Sequence, residues 1–401
     1  MRNRIQKLKN NSHFAYTLNK VELVRGGKPY FDLIIALIAE AKHTIHLQTY
    51  IFENDETGKS VADALIEAAK RNVEVYLLVD GYASQNLSDS FIELLKSSGI
   101  HFRFFEPLFR SRNFYFGRRL HSKVLVTDAS NAVVGGVNIT NRYNDMPGNP
   151  AWLDFALFVK GPAAIDAYKV CVGIWMGKKR RNKSVEVEFP VEDGKIYPEK
   201  SGWVRIRRND WVNNRLQISN SYLEMFRTAA SRITILSSYA LPGNIFRRNL
   251  EKALRRGVKV RMIISGESDV LLVKQAEKYW YNWLFRNNIE IYEYAKNVLH
   301  GKLAICDGEW MTIGSYNVND LSAYVSVELN FDVRDPHFIE SVEQTLQRII
   351  DEDCKKVQPE NFTNTSSIWN KIERWLAYNL IRFTFSLFTF YYRKKKSISK
   401  K

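Results

Sequence analysis

The 401-residue chain is 45% hydrophobic and 25% charged, enough apolar material for two ordinary domains or one large pseudo-symmetric body. Its net charge of +16 favours a polyanionic partner or surface, either nucleic acid or anionic lipid. Three cysteines, Cys171, Cys306 and Cys354, have no metal-ligand spacing and exclude an even disulfide framework, which fits a reducing, cytosolic setting.

The basic start, Met1-Arg2-Asn3-Arg4, runs into Asn10, Asn11 and Ser12 with no apolar segment, so no signal peptide or initial membrane span is expected. Val21 to Val24 reads as a short strand, and Phe31 to Ala41 is apolar at helical spacing. Thr44 to Phe52 reads as a strand that ends near a polar loop, Glu53 to Gly58. Val61 to Lys70 is helical, Val73 to Asp80 a strand, Phe91 to Leu95 a helix stopped by Gly99, and Ile100 to Phe105 a strand. Alternating helices and apolar strands predict α/β layering around a buried sheet.

Phe109 to Arg119 interleaves aromatics with arginines. A lip that contacts phosphate-bearing, apolar ligands has this composition, as do a surface for single-stranded nucleic acid and a solvated loop. His121-Ser122-Lys123 opens the next strand, which runs to Asp128, and Asn131 to Gly136 returns as a hairpin closed by Val137-Asn138. His121 and Lys123 share one face of that strand, and Gly135-Gly136 allows main chain to approach an anionic oxygen.

Ala164 to Trp175 is a further helix. The charge run Lys178 to Lys183 and a stretch with Pro190, Gly194 and Pro198 then mark a boundary. Beyond it the order repeats. Arg232 to Tyr239 matches the strand that ends in Tyr50, Leu250 to Ile264 matches Leu65 to Val79, and Ile289 to Tyr294 matches Ile100 to Phe105. His300-Gly301-Lys302, Asp307 and Gly314-Ser315-Tyr316-Asn317 reproduce the spacing of the first motif. The predicted domains are residues 1–180 and 181–350, with a basic linker at 180–200 and a tail at 351–401. The helix from Val270 to Leu284 carries Tyr279, Trp280, Tyr281 and Trp283, dense enough to wall acyl chains as well as fill a core. In the tail, the apolar run Phe383 to Tyr392 is too short to span a membrane. With Arg393-Lys394-Lys395-Lys396 behind it, it reads as an interfacial amphipathic helix with a polybasic end, the alternative being a C-terminal helix packed on the body with a basic tip.

Two histidines and two lysines brought to one pocket call for a phosphoryl group. Lysines and the amides of Asn138 and Asn317 would hold its oxygens. One imidazole would attack phosphorus, and the other would protonate the leaving alkoxide and then deprotonate the acceptor. Such an imidazole needs an acceptor on its other nitrogen, and Asp154 and Glu328 are the candidates. Asp128 and Asp307 complete the motifs and are expected to brace strand and turn rather than bind substrate. No metal-ligand cluster or P-loop is present in the sequence, so no cofactor and no metal are expected.

These residues resemble the phospholipase D superfamily with two HKD motifs, over residues 18 to 345, and most closely its bacterial cardiolipin synthases of the short type without N-terminal transmembrane helices. Trp152-Leu153-Asp154 and Glu328 resemble the family's acidic positions after each motif, and Tyr50, Phe52 and Gly58 its tyrosine-bearing strand end. The resemblance implies an α/β fold of two pseudo-symmetric domains. Each has a mixed central sheet flanked by helices, with the active site at their interface and an amphipathic C-terminal helix beyond. It implies a catalytic set of His121, Lys123, Asp128, His300, Lys302 and Asp307. His121 (or His300) would be the nucleophile, and His300 (or His121) the general acid/base. Gly135-Gly136 departs from the Gly-Ser common in the family.

The expected reaction joins two phosphatidylglycerol molecules into cardiolipin and glycerol through a phosphohistidine. The expected setting is peripheral, on the cytoplasmic face of a bacterial inner membrane, with anionic phospholipid rather than nucleic acid as partner. The alternatives are a hydrolytic phospholipase D and a phosphodiesterase acting on nucleic acid, for which the apolar and basic tail has no use.

Overall fold

The computed structural model describes residues 3–7, 14–107, 118–177, 186–190, 201–268, 270–319, 322–323, 325–364 and 368–398. The first half runs β1 (Thr17–Arg25), α1 (Lys28–Glu40), β2 (Thr44–Thr49), α2 (Glu56–Lys70), β3 (Glu74–Asp80), α3 (Asp89–Ser97), β4 (His101–Phe105), β5 (Lys123–Thr127), β6 (Asn131–Gly135), β7 (Phe155–Lys160) and α4 (Pro162–Met176). The second half repeats that order: β8 (Ser201–Asp210), α5 (Gln217–Thr228), β9 (Arg232–Ser237), α6 (Asn244–Arg255), β10 (Lys259–Ser265), α7 (Leu271–Arg286), β11 (Glu290–Tyr294), β12 (Lys302–Cys306), β13 (Trp310–Gly314), β14 (Ser326–Arg334) and α8 (Pro336–Asp353). The halves are two pseudo-symmetric α/β domains, each a mixed sheet flanked by helices.

Local chemistry sets these elements. Every residue of β5 and of β12 is buried, as apolar strands covered on both faces require. Asp55 caps α2 by accepting from the Gly58 N–H, and Asp335 caps α8 by accepting from the Phe338 N–H ahead of Pro336 at the first turn. The strand expected over Thr44 to Phe52 stops at Thr49. There the Ile51 N–H turns to the Asn138 side-chain oxygen, and Phe52 makes only an isolated bridge to Ile139.

The ladders run β4-β3-β2-β5-β6-β7-β1 in the first half and β11-β10-β9-β12-β13-β14-β8 in the second. Within each, the first three strands are parallel and the remaining pairings antiparallel. Thr17 to Lys20 of β1 then pairs with Ser201 to Val204 of β8, which makes the two sheets one. A single apolar core crosses this seam and includes Val21, Leu153 and Phe155 from one half with Val204, Leu299 and Phe331 from the other. A second cluster, with Ile34, Leu65 and Leu77, fills the outer face of the first half.

Past α8 come α9 (Pro359–Asn364) and α10 (Ile368–Ile398). Ala377 and Ile381 of α10 pack on Ala276 and Trp280 of α7 and on Leu241, and Tyr378 stacks on Tyr279 at 4.6 Å. Trp280 is therefore covered by protein, and Tyr281 is buried in the core. These two rings do not wall acyl chains as the sequence had suggested. The opposite face of α10 is bare, with Trp369 79% and Phe383 61% exposed. Among the described residues, no helix is long and apolar enough to cross a membrane. The lip residues Phe109 to Gly117 and the run Lys178 to Lys183 lie outside the described residues, as do the side chains of the basic end, Arg393 to Lys396.

Candidate active site

The site forms where parallel strands end, the usual place for a ligand on such a sheet. At the end of β3, Asp80 accepts the Leu120 N–H at 2.7 Å. At the end of β10, the Ser265 hydroxyl accepts the Leu299 N–H at 2.8 Å. The next residue in each case reaches across the seam. The His121 N–H donates to the Val327 carbonyl at 3.0 Å, and the His300 N–H to the Leu153 carbonyl at 2.7 Å. Each histidine is thus held from behind by its own half and from the front by the other.

The acids cross over as well. Val327 and Leu153 immediately precede Glu328 and Asp154, so the same clasp sets each carboxylate against the opposite histidine. His121 Nδ1 lies 2.9 Å from Glu328 Oε1, and His300 Nδ1 lies 2.7 Å from Asp154 Oδ2. Both acids are fully buried. A carboxylate can only accept, so a proton on Nδ1 satisfies each pair and leaves Nε2 for chemistry. At His300 the Lys302 ammonium also lies 2.9 Å from Nδ1. Ser315 adds a hydroxyl donated to Glu328 at 2.5 Å, and the Phe155 N–H donates to Asp154 at 2.7 Å.

Lys123 and Lys302 are 2% and 1% exposed. Lys123 donates to the His121 carbonyl at 2.7 Å and sits 5.0 Å over the Tyr50 ring; Lys302 donates to the His300 carbonyl. Burial and the like charge of Lys302 pull the Lys123 ammonium down to about 7, although Glu328 opposes them. Burial, followed by Lys302, drives His300 down to about 3 against the pull of Asp154. Burial also lowers His121, with Glu328 opposing. Burial works against the charge on Asp154, but Lys302 and His300 outweigh it and hold the carboxyl below its usual range. The resting site is thus two neutral imidazoles backed by carboxylates, with the charge of each lysine felt by both histidines.

Aromatic rings line the histidines unequally. Tyr50 lies 4.9 Å from His121, whereas Tyr143, Trp152 and Tyr239 lie 5.0, 6.1 and 6.4 Å from His300. Ladder register sets Ile45 opposite Thr127 and Ile233 opposite Cys306, so the counterpart of Tyr50 is Ser238, with Tyr239 one residue beyond. The Asn138 oxygen accepts from the Ile51 N–H at 3.1 Å, and the Asn317 oxygen from the Ser238 hydroxyl at 2.7 Å.

Asp128 and Asp307, grouped with the catalytic set on resemblance, do not join this constellation. Asp128 accepts from the backbone N–H groups of Lys42, His43 and Thr44, and Asp307 from those of Ala230, Ser231 and Arg232. Both sit in left-handed turns, at φ 51° and 54°, at the far ends of β5 and β12. They brace the turns.

A family model described as "Cardiolipin synthase, PLD-like domain" matches residues 34–168 and again 222–350. The chain belongs to the phospholipase D superfamily. Among curated relatives of that superfamily, it is 33% identical to cardiolipin synthase B of Escherichia coli (strain K12) over 367 residues, 91% of this chain and 88% of that protein. It is 34% identical to cardiolipin synthase B of Salmonella typhimurium over the same span and coverage. Among solved structures, the phosphatidylserine synthase of Haemophilus influenzae superposes with a TM-score of 0.70 over 94% of this chain and 96% of that one, at 14% identity. That likeness is one of fold.

Several residues of this candidate site escaped the sequence reading. Asp80 was visible only as a strand end, Ser265 had no signal, and Tyr143 stood in an unremarked Asn-Arg-Tyr beyond the first motif. Arg118, read as part of a ligand lip, is instead tied to Glu106 and Asp210 at 3.1 Å each. Among the described residues, no three His, Cys, Asp or Glu side chains cluster as a metal site.

Proposed function

We propose that the chain is a phosphatidyltransferase that converts two phosphatidylglycerol molecules into cardiolipin and glycerol. The observation that carries this reading is the pair of crossed histidine–carboxylate couples, set between two buried lysines at one seam. Lys123, Lys302 and the amide NH2 groups of Asn138 and Asn317 hold the non-bridging phosphate oxygens. His121, the more accessible imidazole at 16% against 7% for His300, attacks phosphorus through Nε2. The N–P bond forms as the bond to the head-group glycerol oxygen breaks, and His300 gives that oxygen its proton. The bound phosphodiester anion raises the proton affinity of His300 from its resting value, so that its Nε2 takes up a proton from solvent as the lipid binds, and this is the proton it gives. His300 then takes the proton of the terminal hydroxyl of a second phosphatidylglycerol. That oxygen bonds to phosphorus, and the N–P bond breaks.

The bare apolar face of α10, followed in sequence by a polybasic end, favours a lipid surface over nucleic acid. A peripheral position on the cytoplasmic face of the membrane suits that arrangement. Incubation with labelled phosphatidylglycerol vesicles tests the assignment. Cardiolipin with glycerol is the expected product, phosphatidic acid would make the chain a hydrolase, and no turnover of lipid would overturn the reading. Trapping the labelled phosphoenzyme and mapping it tests the choice of His121. The positive charge at phosphorus comes from lysines, so transfer is expected to persist after EDTA treatment.

A further inference from the structure

We propose that Lys274, on α7 and outside the site, is a positioning residue for His300. The inference rests on the phosphoryl-transfer reading of the seam. Lys274 is 6% exposed. Its ammonium donates to the Ser265 carbonyl at 2.5 Å and to the Tyr281 hydroxyl at 3.0 Å, and pairs with Glu293 Oε1 at 3.0 Å. Tyr281 passes its own proton to Glu293 at 2.5 Å, so all three ammonium hydrogens have acceptors. Ser265 is the residue whose hydroxyl holds the Leu299 N–H, and His300 is next in the chain.

The first half does the same task differently. Asp80 stands at the equivalent strand end, and its carboxylate accepts the N–H groups of Tyr82, Ala83 and Leu120 while Arg119 lies 3.6 Å away. One carboxylate therefore fixes itself and the loop before His121. A serine hydroxyl is a single oxygen on a short stem and cannot brace itself in this way. The second half supplies the bracing from outside, through the ammonium on the Ser265 carbonyl.

An apolar side chain of similar length would pack α7 without the desolvation that a buried ammonium carries. The ammonium is thus best explained by where it holds β10. Glu277, Lys278 and, from α10, Arg374 also face this cluster, which places it directly beneath the helix with the bare apolar face.

The test compares Lys274→Met, Lys274→Arg and the double variant Lys274→Met/Glu293→Gln, which removes the closest ion pair. Glu277, 3.9 Å from the ammonium and already raised to about 7 by burial against the pull of Lys274, then takes up a proton rather than stay buried as an unpaired charge. Readouts are kcat and KM for lipid transfer, Tm, and the affinity for vanadate, which adopts the five-coordinate geometry of phosphoryl transfer and reports the site without any lipid. Lys274→Met and the double variant are expected to lose about tenfold or more in kcat at unchanged KM, with weaker vanadate binding even where Tm is restored; Lys274→Arg is expected to recover part of both. A double variant with kcat and vanadate affinity within about twofold of the parent would overturn the role. A parent that binds vanadate but transfers no lipid would instead count against the lipid reading, and vanadate affinity alone then decides the role of Lys274.

Discussion

A Cβ atom on Gly136 would stand 2.4 Å from Asp154 Oδ1 and 2.5 Å from Oδ2. The bare Cα of glycine is therefore what lets this carboxylate lie against His300. The other half solves the same problem with one more methylene: Glu328 leaves room for Ser315, which hydrogen-bonds it. Gly-Gly in one motif and Gly-Ser in the other thus follow from aspartate in one half and glutamate in the other. Gly136→Ala is expected to displace Asp154 and lower kcat by about 10²-fold, the scale of an ångström-sized misplacement, with little change in KM. A kcat within about twofold of the parent would show that the carboxylate has room to spare.

The crossed pairing makes a second prediction. Asp154→Asn disturbs the tautomer of His300, and Glu328→Gln that of His121, although each acid follows the other motif in sequence. Each variant is expected to lose about 10²- to 10⁴-fold in kcat, as removal of an orienting carboxylate does elsewhere. The double variant is expected to lose far less than the product of the two, because the four groups act as one unit. Imidazole ¹⁵N shifts read the pairing directly, and a shift of His121 rather than His300 in Asp154→Asn would contradict it.

Lys123 sets an alkaline limit. Its ammonium, at about 7 against a usual 10.5, is expected to be lost as pH rises through neutrality, and with it one of the proposed holds on the phosphate. In the free enzyme kcat/KM is expected to fall above about pH 7, whereas kcat holds to higher pH because the bound phosphodiester anion restores the proton. The stability effect has the opposite sign. Between about 7 and 10.5 the unfolded chain binds a proton that the folded chain does not, so this group makes stability rise with pH across that window. Lys123→Met is expected to remove both effects, in rate profiles and in Tm measured against pH.

The bare face of α10 can be read by flotation. Trp369, Trp375, Leu376, Leu380 and Phe383 are all more than half exposed, on the side of the helix turned away from Ala377 and Ile381. Cutting the chain before Trp369, or replacing Trp369, Leu380 and Phe383 by serine, is expected to release most of the protein from anionic vesicles. The truncation is expected to make any residual binding less sensitive to salt by removing the polybasic end. Unchanged flotation by both variants would move membrane contact elsewhere on the surface.

Much of this was legible in the chain because the motif residues recur at fixed spacing, and spacing along a buried strand fixes which face each side chain takes. The strand and helix order around His121 could therefore be matched to that around His300. The exchange of Asp154 and Glu328 between halves was not legible, since nothing in either half records which surface will meet it. Nor was the bracing of the histidine loops by Asp80 and by Ser265 with Lys274, because those groups meet only through strand ends brought together by the sheet. The tyrosine match was one residue off, for only the ladder partners of Ile45 and Ile233 reveal that Ser238 stands where Tyr50 does.

The pairing of β1 with β8 constrains how the enzyme could work. A clam-shell that opens between turnovers would have to tear this ladder and the apolar core beneath it, so the backplate behind the histidines is stiff. In the proposed transfer, departure of glycerol and arrival of the second lipid would then take place without the two halves parting. In the proposed reaction, keeping transfer ahead of hydrolysis would depend on what covers the histidines, and a bilayer pressed against the site would serve as a lid.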